Sequence, residues 1–316
     1  MVKFWVGRIF LALFVLWLVS LLVFVGCQIL PGDVAQLSLG QYATPEAVAT
    51  LRAQMGLNHP AAYRYFEWLV GMLHGDWGVS MVTRTPVASM LSERAANTGL
   101  LAGVTALIAV PLSIGLGLLM SLGTGKWVDR VGSIVVLSLS ATPEFLIATI
   151  AVLFLAVKWH WFPAISYLTP GSGVEAQAKA MFLPVMTLVI VVTAQIARMT
   201  RAIISNLLSQ PFAEMAMLKG VPRTTIVRKH ALILAVGPIA NVVALNIAYL
   251  VSGVVVVETI FSYPGLARLM TDSVLSRDMP VIQACAMLFS AVYVVLILLS
   301  DTLAAVFDVR GSKAGH

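Results

Sequence analysis

Long stretches without a charged side chain alternate with short polar segments along the whole sequence. Five of these stretches contain no charge, and a sixth contains only Glu144. A run of about 18 apolar residues can cross the hydrocarbon core of a bilayer as a helix, a form in which the spanning backbone satisfies its own hydrogen bonds. The pattern predicts an all-α integral membrane protein with six transmembrane helices, over 9–30, 95–125, 131–157, 180–197, 231–257 and 279–300.

The charged residues are distributed unevenly between the two sides that six spans define. Lys3 and Arg8 precede the first span, and segments on their side hold twelve of the 20 Lys and Arg residues but only four of the 14 Asp and Glu residues. Short cytoplasmic segments of membrane proteins carry an excess of positive charge. The distribution therefore predicts that both termini lie in the cytoplasm.

The composition excludes several other classes of protein. Hydrophobic residues make up 59% of the chain and charged residues 11%, whereas about a quarter of a soluble domain is charged. Cys27 and Cys285 both lie in predicted spans and indicate neither a disulfide framework nor a metal site. The formal charge of +6 follows the membrane topology, so it does not indicate a nucleic-acid partner.

The segment 31–94, between the first two spans, is predicted to form a cap of short helices on the outer membrane surface. Thr44 is placed to cap one helix that stops near Gly56. A second helix begins near Pro60 and ends at Gly75. The expected organisation is 1–30 as the N-terminus and first span, 31–94 as the outer loop, and 95–316 as a five-helix core.

The segment 198–230, between the fourth and fifth spans, is too polar to cross a membrane and too patterned to be a bare linker. A break at Gln210-Pro211 precedes a predicted helix over 212–219, which Gly220 stops. A short rigid helix of this kind can fit a groove on a partner and pass a rigid-body movement to the flanking spans. The same pattern also suits an amphipathic helix lying on the membrane surface.

This inner segment resembles a signature of permease subunits. It contains Glu214, Ala216 and Gly220 in an arrangement similar to Glu-Ala-Ala followed after three residues by Gly, as found in permeases of binding-protein-dependent ABC importers. The resemblance to their peptide and nickel subfamily extends over nearly the whole chain. It also rests on Pro31-Gly32-Asp33, Gly75-Asp76-Trp77-Gly78-Val79-Ser80, Val257-Glu258-Thr259-Ile260-Phe261 and Arg277-Asp278-Met279-Pro280-Val281.

The resemblance implies a type I ABC importer permease fold in a bacterial inner membrane. The implied partners are a second homologous permease that forms a heterodimer with this chain, two ATP-binding subunits and a periplasmic substrate-binding protein. ATP and magnesium would be bound by the ATPase subunits, and this chain would hold no cofactor. Di- or oligopeptides are the implied cargo, with nickel chelates, opines and oligosaccharides as alternatives. The residues implied to couple to the ATPases are Phe212, Glu214, Ala216, Lys219 and Gly220.

Polar residues inside the predicted spans are candidates for the translocation pathway. Glu144 lies in the third span, where an isolated carboxylate costs about 2–3 kcal/mol and is expected to face a cavity or a partner. Asn246, Tyr249 and Gly253 share one face of the fifth span, and Ser252 lies beside them. Two alternatives stay open: a protonated packing role for Glu144, and hydrogen bonding between helices for the fifth span.

Small residues four apart in the second span predict close contacts between helices. The pairs are Gly99 with Gly103 and Gly117 with Ser121. Small side chains let the backbones of two membrane helices approach each other. Packing inside one subunit is favoured over packing at a subunit interface.

The sequence predicts a transporter subunit that is not an enzyme. Gly123-Thr124-Gly125-Lys126 resembles part of a phosphate-binding loop, but Met120 and Trp127 stand where its first Gly and its Ser or Thr belong. ATP hydrolysis is therefore assigned to partner subunits. An ion-coupled secondary transporter is less favoured, because no clear internal repeat and only one intramembrane charge occur. An intramembrane enzyme is less favoured because no hydrolase or metalloprotease motif is present.

Overall fold

The structure is a computed structural model that describes residues 2–29, 36, 39, 43–54, 56–167, 171, 173–252 and 254–307. Regular structure in these residues is helical, apart from one isolated antiparallel bridge between Val79 and Pro86. The predicted all-α class is confirmed. The helices are α1 (Val2–Ile29), α2 (Pro45–Gln54), α3 (Ala61–Leu73), α4 (Val87–Leu122), α5 (Trp127–Ala141), α6 (Glu144–Ala151), α7 (Val174–Leu208), α8 (Pro211–Leu218), α9 (Arg223–Ile226), α10 (Leu232–Ser252), α11 (Val255–Ile260), α12 (Leu266–Ser276) and α13 (Met279–Phe307).

Most of the predicted spans correspond to long helices. Within the described residues, five helical stretches are long and apolar enough to cross a membrane. They are α1, α4, α7, α13 and the stretch Arg223–Ile260. A sixth crossing exists if the bent pair formed by α5 and α6 is counted as one span. Wider π-helical turns extend α6 over Val152–Lys158 and join α9 to α10 over Val227–Ala231.

The third predicted span differs from the expectation of one helix over 131–157. The chain forms α5 and α6 there, bent by 97° relative to each other. Pro143 cannot donate a helical hydrogen bond, and its ring disfavours helical backbone at the residue before it. Thr142 accordingly adopts φ −80° and ψ 127°, which is extended. The prediction of one continuous helix is wrong here, and Glu144 is the first residue of the second helix of the pair.

Both short helices predicted between the first two spans are present. Thr44 caps α2, because its Oγ1 accepts a hydrogen bond from the backbone N–H of Ala47 at 3.3 Å. Helix α3 ends just before Gly75, whose φ of +85° is a left-handed conformation that glycine adopts without a Cβ penalty. The predicted N-cap at Thr44 and the predicted helix stop at Gly75 are confirmed.

The described residues belong to two compact units. Helices α4 and α13 each contribute residues to both. The first unit comprises those within Met1–Thr98 and Pro264–Val294, and the second comprises those within Gly99–Tyr263 and Val295–His316.

In the first unit, α1 packs against α3. Ser20 Oγ and Tyr65 Oη share a hydrogen bond of 2.8 Å, and the ring of Phe24 meets the ring of Tyr65 edge-on, with centroids 5.3 Å apart. Arg64 Nη2 donates a 2.7 Å hydrogen bond to Gln28 Oε1. These contacts join α3 to the first long apolar helix, α1.

Two motifs that are far apart in the sequence meet in the first unit. Asp278 immediately precedes α13 and is almost fully buried. Its carboxylate accepts a hydrogen bond from Ser80 Oγ and another from the backbone N–H of Met81 at 3.0 Å. Gly78 is so close that a Cβ there would lie 3.7 Å from Pro280 Cβ. The segments around Ser80 and Asp278 therefore hold each other in place.

The second unit is built around α7, which has 35 residues and buried side chains along most of its length. Leu183, Leu188 and Ile196 belong to its main core, together with Phe261 and Tyr263. At 1.5 Å per residue, α7 is about 52 Å long, which exceeds the ~30 Å hydrocarbon core. Helix α7 therefore links the membrane core to the inner segment that follows it.

Gly117 permits a close helix approach inside the second unit. A Cβ at this position would lie 2.6 Å from Thr200 Cβ and 2.9 Å from the carbonyl oxygen of Ala197, both on α7. The predicted packing inside one subunit is confirmed for Gly117. An added Cβ at Gly99 or Gly103 meets nothing within 4 Å in the described part of the chain, so no such contact forms there.

Candidate functional site

The short helix α8 follows α7 at the inner segment. Gln210 is extended, with φ −83° and ψ 154°, and Pro211 occupies the first helical turn, where its missing N–H costs nothing. The carbonyl oxygen of Gln210 accepts hydrogen bonds from the N–H groups of Ala213 at 3.0 Å and Glu214 at 3.2 Å. Glu214 lies in the first turn, where the helix dipole favours a negative charge. The predicted short helix is confirmed.

Helix α8 ends in a left-handed turn at Gly220, where φ is +78°. The N–H of Gly220 donates to the carbonyl of Met217 at 2.9 Å, and the N–H of Val221 donates to the carbonyl of Ala216 at 3.1 Å. This pair of hydrogen bonds is a Schellman motif. A Cβ at Gly220 would meet nothing within 4 Å, so the preference for glycine comes from its backbone conformation and not from lack of space.

One face of α8 is anchored on the protein's own core. Ala213 is fully buried, and it shares a core cluster with Ile204 of α7 and Ile226 of α9. Phe212 and Ala216 pack against the same cluster from partly buried positions. The helix is thus held by apolar contacts to the elements on both sides of it.

The opposite face of α8 presents apolar side chains to the exterior. Met215 is 55% exposed, Met217 43% and Leu218 77%. Glu214 and Lys219 are also exposed and place one negative and one positive charge beside them. An eight-residue helix that is firmly anchored, with an apolar outer face between opposite charges, is suited to docking into a groove of another protein.

The structure divides the predicted coupling residues into two groups. Glu214, Lys219 and Gly220 lie on the exposed side, whereas Phe212 and Ala216 contact the chain's own core. The sequence interpretation did not select Met215, Met217 and Leu218, which form most of the exposed apolar surface. The sequence did contain a pattern that could have identified this surface. Met215 and Leu218 are apolar and three residues apart, so they share one face of a helix.

An ion pair lies close to the C-terminal end of α7. Arg201 of α7 binds Asp129 of α5 through Nε to Oδ1 at 2.5 Å and Nη2 to Oδ2 at 3.0 Å. Asp129 also accepts hydrogen bonds from the N–H of Gly125 at 3.2 Å and from Ser133 Oγ at 3.3 Å. A bidentate Arg–carboxylate pair sets orientation as well as distance. The pair therefore fixes α5 to α7 about two turns before the end of α7.

A second polar site lies at the bend between α5 and α6. Glu144 is the first residue of α6, and its Oε2 accepts a hydrogen bond from Tyr249 Oη of α10. The two side chains are partly buried. Two of the predicted pathway residues, 105 positions apart, are thus brought into direct contact.

The other predicted pathway residues have different outcomes. Asn246 Nδ2 donates to the carbonyl of Val242 at 2.9 Å, and its Oδ1 is buried without a partner in the described part of the chain. The side chain of Ser252 and all of Gly253 lie outside the described residues. Elsewhere on α10, Asn241 accepts a 2.5 Å hydrogen bond from Ser300 Oγ of α13, which is the interhelical bonding left open by the sequence.

A further carboxylate, Glu258 of α11, is fully buried. Burial raises the pKa of the nearby Tyr263 phenol well above its usual value, and the charge of Glu258 raises it further. The sequence interpretation used Glu258 only as part of a family motif. Its proximity to Tyr263 depends on the turn after α11, where the N–H of Tyr263 donates to the carbonyl of Glu258 at 2.8 Å.

Two family models match this chain. The model described as "Binding-protein-dependent transport system inner membrane component" matches residues 113–313. The model of the N-terminal part of such membrane components matches residues 1–101. This chain belongs to that family of permeases. The family is a membrane component of ABC importers, and it is not itself catalytic.

Curated relatives match nearly the whole permease. The probable peptide ABC transporter permease protein y4tP of Sinorhizobium fredii (strain NBRC 101917 / NGR234) is 33% identical over 296 residues, covering 94% of this chain and 95% of the relative. The glutathione transport system permease protein GsiC of Escherichia coli (strain K12) is 33% identical over 293 residues, covering 93% of each. The predicted resemblance to a peptide-type ABC permease is confirmed.

The fold of the permease also has a counterpart among solved structures. A chain of the MetNI methionine ABC transporter, in an inward-facing conformation, matches with a TM-score of 0.56. The match covers 70% of this chain and 98% of that chain, at 17% sequence identity. The predicted type I importer permease fold is therefore confirmed. The permease is a multi-pass membrane protein.

Proposed function

We propose that this permease forms one half of the translocation pathway of an ATP-driven importer of di- or oligopeptides. The observation that carries the cargo class is the match, over more than nine tenths of the chain, to relatives named for peptide and glutathione transport. Glutathione is itself a short peptide. The proposed location is the bacterial inner membrane, with both termini in the cytoplasm.

The proposed complex contains a second homologous permease, two ATP-binding subunits and a periplasmic substrate-binding protein. ATP and magnesium are bound in the ATP-binding subunits. The binding protein delivers the peptide to a cavity between the two permeases. ATP binding draws the inner segments of the permeases together, and hydrolysis resets them. This assignment leaves the permease chain to bind cargo and move, without breaking a phosphoanhydride bond.

In this proposal α8 is the coupling helix. Met215, Met217 and Leu218 enter a groove on an ATP-binding subunit, and Glu214 and Lys219 set the orientation through their opposite charges. Phe212 and Ala216 act from the other face by fixing α8 to the core that includes α7 and α9. Because α8 is packed on the elements before and after it, a displacement of the ATP-binding subunit is transmitted to the membrane helices as a rigid-body movement.

The proposed cargo pathway includes Glu144 and Tyr249. It also includes Asn246 and Ser252 of α10 and Gly253, which follows that helix. A carboxylate at the start of α6 is favoured by the helix dipole, and Tyr249 donates a hydrogen bond to it. Glu144 retains a second oxygen that can accept a hydrogen bond from a cationic side chain of the cargo, such as the ammonium group of lysine. The pair is therefore suited to cationic groups on the cargo.

Replacing Glu144 by Gln should lower the transport of cationic peptides about tenfold, because it removes one charge-assisted hydrogen bond. Transport of neutral peptides should change little. The measurement is uptake of labelled dipeptides that differ only in one lysine, using the complete importer in vesicles. Glu175→Gln is the matched control, since Glu175 is an exposed carboxylate paired with Lys179 at the start of α7. Equal loss for both peptides would remove Glu144 from the pathway.

The topology can be tested with a single cysteine at Ser209, an exposed residue between α7 and α8. Cys27 and Cys285 are buried, so the introduced thiol should dominate labelling by a membrane-impermeant maleimide. We expect Ser209→Cys to react in inverted inner-membrane vesicles and not in intact spheroplasts. Labelling from the outside alone would reverse the proposed orientation.

The cargo assignment is tested by uptake in cells that lack their own peptide importers. Cells expressing the whole transport system should accumulate a labelled di- or tripeptide, and cells without this permease should not. Isothermal titration of the cognate binding protein with the same peptide should show binding. If the binding protein takes only nickel chelates, opines or oligosaccharides, the peptide assignment is wrong while the permease assignment stands.

A further inference from the structure

A cleft of about 200 Å³ lies between α4, α5 and α7 in the second unit. Its apolar walls are formed by Met120 of α4 together with Val136 and Leu137 of α5. Ser133, Arg198 and Arg201 complete the lining. Pockets for drug-sized solutes usually measure about 300–1,000 Å³. This cleft is thus too small for such a solute, but its apolar walls suit a section of a hydrocarbon chain.

The two arginines of the cleft are in different electrostatic situations. Arg201 is neutralised by its bidentate pair with Asp129. Arg198 is exposed, and among the described residues it makes no hydrogen bond or ion pair. The cleft thus presents one uncompensated positive charge next to an apolar surface. Such an arrangement suits a ligand that combines a negative headgroup with a hydrocarbon tail.

The position of the cleft along the helices is that of a membrane–water boundary. Arg198 is the first charged residue after the charge-free run 180–197 of α7. Trp127, the first residue of α5, is 74% exposed, and tryptophan is enriched at membrane interfaces. Further along α5, Ile134 and Leu137 are exposed apolar residues that suit contact with lipid tails. The arginine therefore lies at headgroup level, with the apolar wall directed toward the hydrocarbon.

We propose that this cleft binds an anionic phospholipid from the leaflet at this end of α7. The phosphate pairs with Arg198, and the upper part of one acyl chain lies against Met120, Val136 and Leu137. The lipid then sits beside the Asp129–Arg201 pair that joins α5 to α7. Basic pockets between membrane helices are known to bind anionic lipid headgroups, at about 1 kcal/mol for each cation near the surface.

The test uses the complete importer in nanodiscs, with neither ATP nor peptide present. Each sample contains a photoreactive phosphatidylglycerol or a phosphatidylcholine with the same photoreactive acyl chain. After irradiation, mass spectrometry of peptides locates the label. We expect phosphatidylglycerol to label the cleft residues about fivefold more than phosphatidylcholine, as one cation at the surface predicts.

Variants of Arg198 decide whether the charge acts as proposed. Arg198→Gln should abolish the preference for phosphatidylglycerol, and Arg198→Lys should retain it. Arg130→Gln is the matched control, because Arg130 is an exposed cation on α5 that does not line the cleft. Because Arg198 is exposed and makes no hydrogen bond or ion pair within the described residues, its replacement should leave the complex assembled, which size-exclusion chromatography checks.

Three results would overturn the proposal. Equal labelling by the two lipids would show that the charge does not select the ligand. An equal loss of preference in Arg130→Gln and Arg198→Gln would show only general surface attraction. In the third, neither lipid labels the cleft, and Leu137→Cys forms a cross-link to the second permease. That result would identify the cleft as a subunit interface. None of these results depends on which cargo the importer carries.

Discussion

Replacing Leu218 by Asp should detach the ATP-binding subunits from the permease while leaving the permease folded. Leu218 is 77% exposed on α8, so the substitution removes no contact of the core. In the proposed complex it loses about 2 kcal/mol of apolar burial and forces a carboxylate out of water. We expect the affinity for the ATP-binding subunits to fall at least about 100-fold. The measurement is the amount of ATP-binding subunit that co-purifies with a tagged permease.

The control for this variant is Leu275→Asp. Leu275 of α12 is 79% exposed, almost the same as Leu218, and both lie outside the candidate membrane helices. It should reach the membrane and retain its ATP-binding subunits. If both variants retained them, and peptide-stimulated ATP hydrolysis stayed normal, α8 would not be the coupling helix. If neither variant accumulated in the membrane, replacing Leu218 by Ser would repeat the test without a new charge.

Gly117 and Gly115 are two residues apart on α4, yet alanine should destabilise the permease only at Gly117. At Gly117 an added Cβ would approach Thr200 Cβ to 2.6 Å and the backbone oxygen of Ala197 to 2.9 Å. A backbone atom cannot move aside cheaply, so α4 and α7 must separate. We expect Gly117→Ala to cost about 3 kcal/mol of stability, toward the upper end for an overpacked core.

Gly115 is the matched control, because an added Cβ there meets nothing within 4 Å in the described residues. Alanine is preferred to glycine inside a helix by up to about 1 kcal/mol. Gly115→Ala should thus be neutral or slightly stabilising. Both changes in stability are measured by thermal unfolding of the purified permease. Labelling of the buried Cys285 thiol, as it becomes exposed, monitors the unfolding. Equal shifts in the two variants would contradict the close α4–α7 contact.

Local sequence signals predicted much of the secondary structure correctly. The short helix α8 begins at Pro211 and is stopped by the turn at Gly220, because both residues act through their own backbone geometry. Thr44 and Gly75 delimit the outer helices for the same reason. Such signals can be read from one sequence, since they need no information about distant residues.

At Pro143 the local signal of a proline was present, but it was not used to predict a break in the third span. The apolar run continues through this position, so its length alone favours one helix over 131–157. The proline and the residue before it oppose that outcome through sterics and a missing donor. The angle of 97° also depends on contacts of α6 with α7 and α11, which no local pattern contains.

The functional pairs were the least predictable part. Glu144 and Tyr249 were both selected as intramembrane polar residues, but their contact across 105 positions was not. Asp129 and Arg201, 72 positions apart, were counted among the charges on one side of the membrane, and no contact between them was expected. Many pairings of such residues are compatible with the same run lengths. A particular pair forms only when helix packing brings both side chains to one place.

The resemblance of its motifs indicated the importer permease family. The sequence by itself also determined that this is an all-α membrane protein with a short helix between its fourth and fifth spans. It could do so because hydropathy, proline and glycine act over a few residues or one span. The tertiary structure alone decided that Met215, Met217 and Leu218 face outward and that Phe212 faces the core. It also decided that Arg201 forms an ion pair whereas Arg198 forms none within the described residues. The physical reason is that burial and charge pairing depend on which helices become neighbours, and packing across the whole chain selects those neighbours.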